Sequence, residues 1–185
     1  LVMSGKSQYT VGSVASCTVM ACEASVNLLH GAELSAALVD QVLMVGALYQ
    51  CEYHTGLEDI LEPVSRFRSN LELTEELTVP LRQTAGVLKT MSEKANANGQ
   101  GVSALLTKPP ESIVIHVDPA LGADQPPRVV IFDSHRRPQH DGAAFLVFEG
   151  LQPAIRYLTV DLWPEVRVEG TGDMMMEMMN TLQAS

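Results

Sequence analysis

A chain of 185 residues is long enough for one domain with a sizeable core and too short for two comfortable ones. Its 12 Lys+Arg stand against 22 Asp+Glu, and the resulting net charge of -10 opposes nucleic acid and suits a basic protein partner better. No apolar run reaches the ~18 residues of a membrane span, and the first residues lack the basic-then-apolar layout of a signal peptide, so a soluble protein with no membrane attachment is expected.

The chain opens at Leu1 without an initiator methionine, which reads as a processed product or a piece of something longer, with neighbouring domains outside it. A glycine- and serine-rich approach, Gly12-Ser13-Val14-Ala15-Ser16, then leads into a helix capped by Ser16, running to about His30 and stopped at Gly31. Val19, Cys22, Val26 and Leu29 fall at helical spacing and predict a buried face. At about 100° per residue Cys17 points away from the centre of this stripe, whereas Cys22 lies on it as a core residue. Met20, Ala21, Ala24 and Leu28 make the helix apolar nearly all round, which predicts a central place in the domain.

A second helix is expected from about Glu33 to Gln50, with Leu34, Leu38, Val42, Val45 and Tyr49 on one face and Cys51 closing it as a packing residue. Residues 52–80, punctuated by Gly56, Pro63 and Pro80, predict one or two short helices. Here Glu52, Glu58, Asp59, Glu62, Glu72, Glu75 and Glu76 face only Arg66 and Arg68, a solvated surface or a docking face for a basic partner. A further helix from Leu81 to about Ala97 ends in the polar loop Asn96 to Gly101.

The character then changes. Ser112 to Val117, Arg128 to Phe132, Ala143 to Phe148 and Ile155 to Val160 are short runs rich in Val, Ile and Phe between Pro and Gly clusters, and predict an antiparallel meander. Helices followed by strands indicate an α+β domain, its N-terminal helices packed on one side of a C-terminal antiparallel sheet. Five methionines in the six positions from Met174 to Met179 predict a terminal helix. It covers an apolar surface of its own domain, mediates association or belongs to a neighbour; the first is favoured because Met adapts to irregular surfaces. The expected division is a catalytic domain over 1–170 and a Met-rich C-terminal helix or tail over 171–185.

Cys17 at a helix start and Asp133-Ser134-His135 after an apolar strand are the parts of a thiol hydrolase. A cysteine nucleophile needs an imidazole to take its proton and a carboxylate to hold that imidazole in one tautomer. Two residues apart on a strand, Asp133 and His135 leave the same face, with Ser134 on the opposite one. The positive end of the helix favours the thiolate. His140, in the polar turn before the next strand, is an alternative base; His116 reads as a core or sheet-face residue, His30 as a helix-end residue and His54 as a loop residue. Gln8 has the chemistry of an oxyanion donor, which the backbone N–H of Cys17 could join, or is an ordinary polar residue. Three cysteines without CxxC spacing argue against a disulfide framework or a zinc site and fit a reducing, cytoplasmic setting. The absence of HExxH, EF-hand, P-loop, dinucleotide and GxSxG patterns leaves metal, nucleotide and serine-hydrolase readings without support, and no cofactor is expected.

Gln8 ahead of a Gly/Ser-x-Cys17 helix start, with a late strand ending in Asp133-Ser134-His135, resembles the papain-like cysteine deubiquitinases related to the herpesvirus tegument protease. In that family the acidic residue precedes the histidine by two positions on one strand, whereas papain and many other cysteine proteases place their Asn or Asp on a later strand. The similarity is one of motif order and element layout over roughly residues 4 to 160. It implies a papain-like cysteine protease fold and cleavage of ubiquitin from its conjugates after the C-terminal Gly-Gly. Cys17 would be the nucleophile, His135 the general base, Asp133 its orienting partner and Gln8 part of the oxyanion hole, with ubiquitin or its conjugates as the partner. A basic ubiquitin-like tail would also meet the acidic balance of the domain favourably. The insert after Phe132 adds Arg136, Arg137 and His140 near the site and keeps His140 open as a base. A papain-like thiol enzyme with another substrate, or a binding module in which these residues are incidental, are the alternatives; oligomeric state is not fixed.

Overall fold

The computed structural model describes residues 1–13, 15–49, 56–122, 124–166 and 173–185. The chain begins with a short strand, β1 (Val2–Met3), followed by helices α1 (Cys17–Leu29), α2 (Ala36–Leu48), α3 (Glu58–Leu61) and α4 (Ser65–Asn70). Strand β2 (Leu77–Pro80) and one 3-10 turn, Leu81–Gln83, lead into α5 (Thr84–Asn98). Strands β3 (Val102–Lys108), β4 (Glu111–Val117), β5 (Arg128–Asp133) and β6 (Ala144–Glu149) come next, then α6 (Leu151–Arg156) with a π-helical turn, Tyr157–Leu162. Helix α7 (Asp173–Met179) and β7 (Thr181–Ala184) end the described chain. Among the described residues no helix is long and apolar enough to cross a membrane. Gln50, Cys51, Glu52 and His54 lie outside the described residues.

All strand pairs are antiparallel, and the sheet has the order β1-β6-β5-β4-β3-β7-β2. This is the α+β class expected from helices followed by strands, with one correction to its layering: helices cover both faces. Successive side chains on a strand leave opposite faces. Val114, Val130, Phe132 and Phe145 therefore pack under α1, α2 and α4, while Ile113, Ile115, Val129 and Ile131 pack with Leu88 of α5 and Ala154 and Leu158 of α6 and its π turn. The expected fourth strand, Ile155 to Val160, is a second correction. Ala154, Leu158 and Leu162 recur every four residues and lie along the far face of the sheet, so the segment is helical; a run of six residues with mixed Ile, Leu and Val does not separate the two periods. Residues 171–185, read as a helix or tail, also supply β7, which pairs with both β3 and β2.

Helix α1 is central, as its all-round apolar sequence predicts: apart from Asn27 and Leu29 its residues are buried. Glu23 is buried there too, and a charge withdrawn from water must be matched. Arg66 of α4 donates to both of its carboxylate oxygens, at 2.6 and 2.8 Å, and Asn27 donates to Oε1 at 2.9 Å, which ties α4 to α1. Ser16 stands at the helix start without capping it through its side chain; its hydroxyl bonds that of Ser13 instead.

The N-terminal segment forms a strap along the sheet edge. Val2 and Met3 pair with Phe145 and Ala144, and Ala143 N–H donates to the Lys6 carbonyl at 2.6 Å. Gly142, at φ 156°, permits this approach, because a Cβ there would stand 2.7 Å from the Lys6 oxygen. The strap then delivers Gln8, whose N–H donates to the Ser134 carbonyl at 3.0 Å and whose carbonyl accepts from Ser13 N–H at 2.9 Å.

Candidate active site

Three elements meet at one end of the sheet: the start of α1, the end of β5 and the β3–β4 turn. Cys17 is the first residue of α1, Asp133 the last of β5, and His135 follows one residue after Ser134. His135 Nδ1 lies 2.6 Å from Asp133 Oδ1, and the His135 backbone N–H donates to the same oxygen at 2.9 Å. The ring also hydrogen-bonds the Cys17 side chain. An unbroken line therefore runs from carboxylate to imidazole to thiol. Asp133, His135, Cys17 and Gln8 are all buried, with at most 2% of any of them exposed. The Tyr9 ring sits beside that of His135, with centroids 6.1 Å apart.

Burial pushes the Cys17 thiol up, but the His135 hydrogen bond, the backbone N–H of Ser112, the charge of His135 and the Thr18 hydroxyl together hold it below the usual thiol range. The start of a thirteen-residue helix adds its positive end to the same side. Burial pulls His135 down, yet the bonds to Asp133 and Cys17 and the Asp133 charge outweigh it and raise the ring to about 9. Asp133 is depressed against its own burial by the His135 hydrogen bond and by the charges of His135 and Arg137. Lowered thiol and raised imidazole together favour a thiolate–imidazolium pair. Cys22, five residues along the same helix, is pushed up to about 12 by burial and by the neighbouring Glu23 charge, which makes it an inert core thiol.

The triplet sits in a wider network that residue spacing does not announce. Arg137 donates from Nε to Asp133 Oδ2 at 2.7 Å and grips Glu111 by both guanidinium arms, at 3.0 and 2.8 Å. Trp163 Nε1 donates to the same glutamate at 3.4 Å. Arg137 reaches back because residues 137–140 make a tight turn, with backbone bonds from Arg137 N–H to His140 O and from His140 N–H to Arg137 O. Glu111 opens β4 immediately after Pro110, whose carbonyl lies 3.8 Å from the Cys17 sulfur. Thr18 and Thr107 both hydrogen-bond the Ser112 hydroxyl, at 3.2 and 2.9 Å, and stitch α1 to the β3–β4 hairpin.

The other described histidines have partners of their own. His140 is buried with Nδ1 2.6 Å from the Gly142 carbonyl and Nε2 3.2 Å from the Tyr157 hydroxyl. The carbonyl requires a proton on Nδ1, and Nε2 faces the Tyr157 hydroxyl. His116 sits in β4 against Ser103 and Asp118, and His30 caps the end of α1. β5 ends at Asp133, and the Ser134 hydroxyl donates to Gln8 Oε1 at 2.8 Å.

No family model matches the chain, and no curated protein matches it in sequence. Its structure is similar to that of the ubiquitin-specific protease encoded by a murine cytomegalovirus tegument protein, solved in complex with a ubiquitin-based suicide substrate. The TM-score is 0.60 at 14% sequence identity, covering 99% of this chain and 82% of that one. The likeness is therefore one of fold, and this chain's seven antiparallel strands with helices are of the α+β class.

Proposed function

We propose that this domain is a cysteine isopeptidase, a deubiquitinase that hydrolyses the bond after the C-terminal Gly-Gly of ubiquitin. The observation that carries the reading is the buried Asp133–His135–Cys17 line, with the thiol lowered at a helix start and the imidazole raised opposite it. The shared fold with a viral ubiquitin-specific protease supports the choice of substrate. In this reading the Cys17 thiolate attacks the glycine carbonyl carbon, and the electron pair moves onto its oxygen, held by Gln8 and the Cys17 backbone N–H. Collapse of the tetrahedral intermediate expels the lysine amine, which takes its proton from the His135 imidazolium. Neutral His135 then draws a proton from water as the hydroxyl adds to the thioester, and the thiolate leaves to restore the starting pair. Asp133 holds the ring so that Nδ1 carries its proton throughout.

Full-length ubiquitin bearing a thiol-trapping group at its C-terminus, run beside matched reagents made from other ubiquitin-like modifiers, tests this by intact mass. The expected result is one ubiquitin adduct, lost in Cys17→Ala and strongly reduced in His135→Ala. Labelling by another modifier alone would reassign the substrate of the same thiol enzyme. Silence from folded protein with every reagent would overturn the enzymatic reading.

A further inference from the structure

The middle residue of the Asp133-Ser134-His135 triplet is as buried as its neighbours, at 2% exposed, yet stands outside the carboxylate–imidazole–thiol line. It grips Gln8 twice. Its carbonyl accepts the Gln8 N–H at 3.0 Å, and its hydroxyl donates to Gln8 Oε1 at 2.8 Å. The Gln8 carbonyl in turn accepts the N–H of Ser13, four residues before Cys17, so Gln8 bridges the segment that carries the nucleophile and the segment that carries the base.

A glutamine amide has two unlike corners, an oxygen that accepts and an NH₂ that donates, and its last side-chain torsion is broad and roughly two-fold. An oxyanion needs the donor corner. The reversed amide would turn its oxygen toward the developing negative charge, in a place where water cannot screen the conflict. The hydrogen bond from Ser134 selects between the two orientations. With Oε1 accepting from the hydroxyl, Nε2 is the corner turned the other way. Among the described contacts the hydroxyl hydrogen of Ser134 is spent on Gln8, so reversal would strip a buried hydroxyl of its acceptor.

We propose that Ser134 is a positioning residue that holds the Gln8 amide with its donor corner toward the oxyanion formed at Cys17. This rests on the oxyanion role given to Gln8 above. Asp133 then orients the base and Ser134 the oxyanion donor, from adjacent positions on one turn of chain.

The test compares Gln8→Ala, Ser134→Ala, Ser134→Thr and the Gln8→Ala/Ser134→Ala double variant with the parent chain. Turnover is read with ubiquitin carrying a C-terminal fluorogenic amide, and folding by thermal melts. Loss of one oxyanion donor lowers kcat by about 100-fold or more, so Gln8→Ala is expected there, with KM within about 2-fold. Ser134→Ala should lose about 10- to 50-fold in kcat, and Ser134→Thr, which keeps the hydroxyl, should recover to within about 3-fold of the parent. The double variant should be no slower than Gln8→Ala, because both changes remove one device. The pH dependence of Cys17 alkylation by iodoacetamide should stay unchanged in all four. A multiplicative loss in the double variant, or a shifted alkylation profile in Ser134→Ala, would overturn the proposal by showing that Ser134 acts through the fold or through His135. If Gln8→Ala turns over normally, the oxyanion role of Gln8 fails and this proposal with it.

One readout needs no substrate. The Gln8 side-chain NH₂ pair in the ¹⁵N–¹H spectrum, assigned by its loss in Gln8→Ala, should be displaced from the solvated-glutamine position in the parent and in Ser134→Thr. It should shift from its parent position in Ser134→Ala. An unmoved pair would refute the clamp even if ubiquitin proves to be the wrong substrate.

Discussion

Two histidines in this molecule stand two residues from an aspartate, one at each end of the sheet, and only one of them is equipped to be a base. At the end of β4, His116 Nε2 lies 3.1 Å from Asp118 and Nδ1 lies 2.9 Å from the Ser103 hydroxyl. By residue type this Ser–His–Asp line parallels the one through Cys17. The rings nevertheless titrate in opposite directions. Burial lowers His116 against the pull of Asp118, which is a third exposed and shared with Arg128 at 3.3 Å. His135 is raised to about 9, because Asp133 is wholly buried and the thiol opposite it adds a second bond. A carboxylate makes a base of a histidine only when it is withdrawn from water and when the other ring nitrogen meets a group worth deprotonating.

The largest expected effect removes the group each ring faces. Cys17→Ala should lower ubiquitin-amide turnover by ~10⁵-fold or more, whereas Ser103→Ala should leave it within about 2-fold. A loss of more than 10-fold in Ser103→Ala would show that the two ends are coupled. Next come the carboxylates. Asp133→Asn should lower kcat by about 10³- to 10⁴-fold by allowing the wrong tautomer, and Asp118→Asn should leave kcat unchanged.

The comparison sharpens with pH. The reactive thiolate–imidazolium pair exists above the lowered value of Cys17 and below about 9 for His135, so kcat/KM should rise across the first and fall across the second. The same shifts act on stability. A raised His135 binds its proton more tightly in the folded state, so its contribution is complete below the ring's unfolded value and is lost as pH rises through about 9. Asp133, depressed on folding, contributes above its unfolded value and loses that contribution as pH falls. Cys17, depressed on folding, gains its contribution as pH rises and offsets the loss from His135, so denaturant midpoints should decline at the acid end, and Asp133→Asn should flatten that decline while Asp118→Asn does not. Arg137→Gln removes a positive charge that lowers His135, so the alkaline limb of kcat/KM should move to higher pH. A shift to lower pH would mean that Arg137 acts chiefly by holding Asp133 in place.

Much of this was legible in the sequence, and the failures have physical causes. Cys17, Asp133 and His135 could be named because thiol chemistry demands those groups at element ends, and α1 because its residues are apolar in every direction. The continuous runs Ile113-Val114-Ile115 and Val129 to Phe132 carried a signal that was misread: a strand covered on one face alternates, and these do not, because α5 and α6 cover the second face. Strand β7, Thr-Leu-Gln-Ala, is too short to show a period, and the methionines before it drew the segment toward a helix. Arg137 has no pattern at all. Its role depends on a turn that folds it back onto a residue four positions earlier and onto Glu111, which lies 26 positions away in the chain.

The smallest effects come from two glycines, one against the His116 ring and one against the strap that leads to Gln8. At Gly101 a Cβ would run into the His116 ring; at Gly142 it would meet the Lys6 carbonyl at 2.7 Å, on a backbone with φ 156°. A ring on a side chain can rotate away, whereas a strap pinned by β1 pairing and by the Ala143-to-Lys6 hydrogen bond cannot yield without shifting its next residues. Both alanine substitutions should cost about 1–3 kcal/mol of stability, read from denaturant midpoints. They should part company in turnover. Gly101→Ala disturbs a histidine outside the proposed site and should leave kcat alone. Gly142→Ala displaces the strap two residues before Gln8, and misplacement of the proposed oxyanion donor by a fraction of an ångström should lower kcat by about 3- to 10-fold with little change in KM. Equal kcat losses in the two variants would mean that turnover follows overall stability. A loss confined to Gly142→Ala would show that the strap's path along β6 sets the aim of the oxyanion donor.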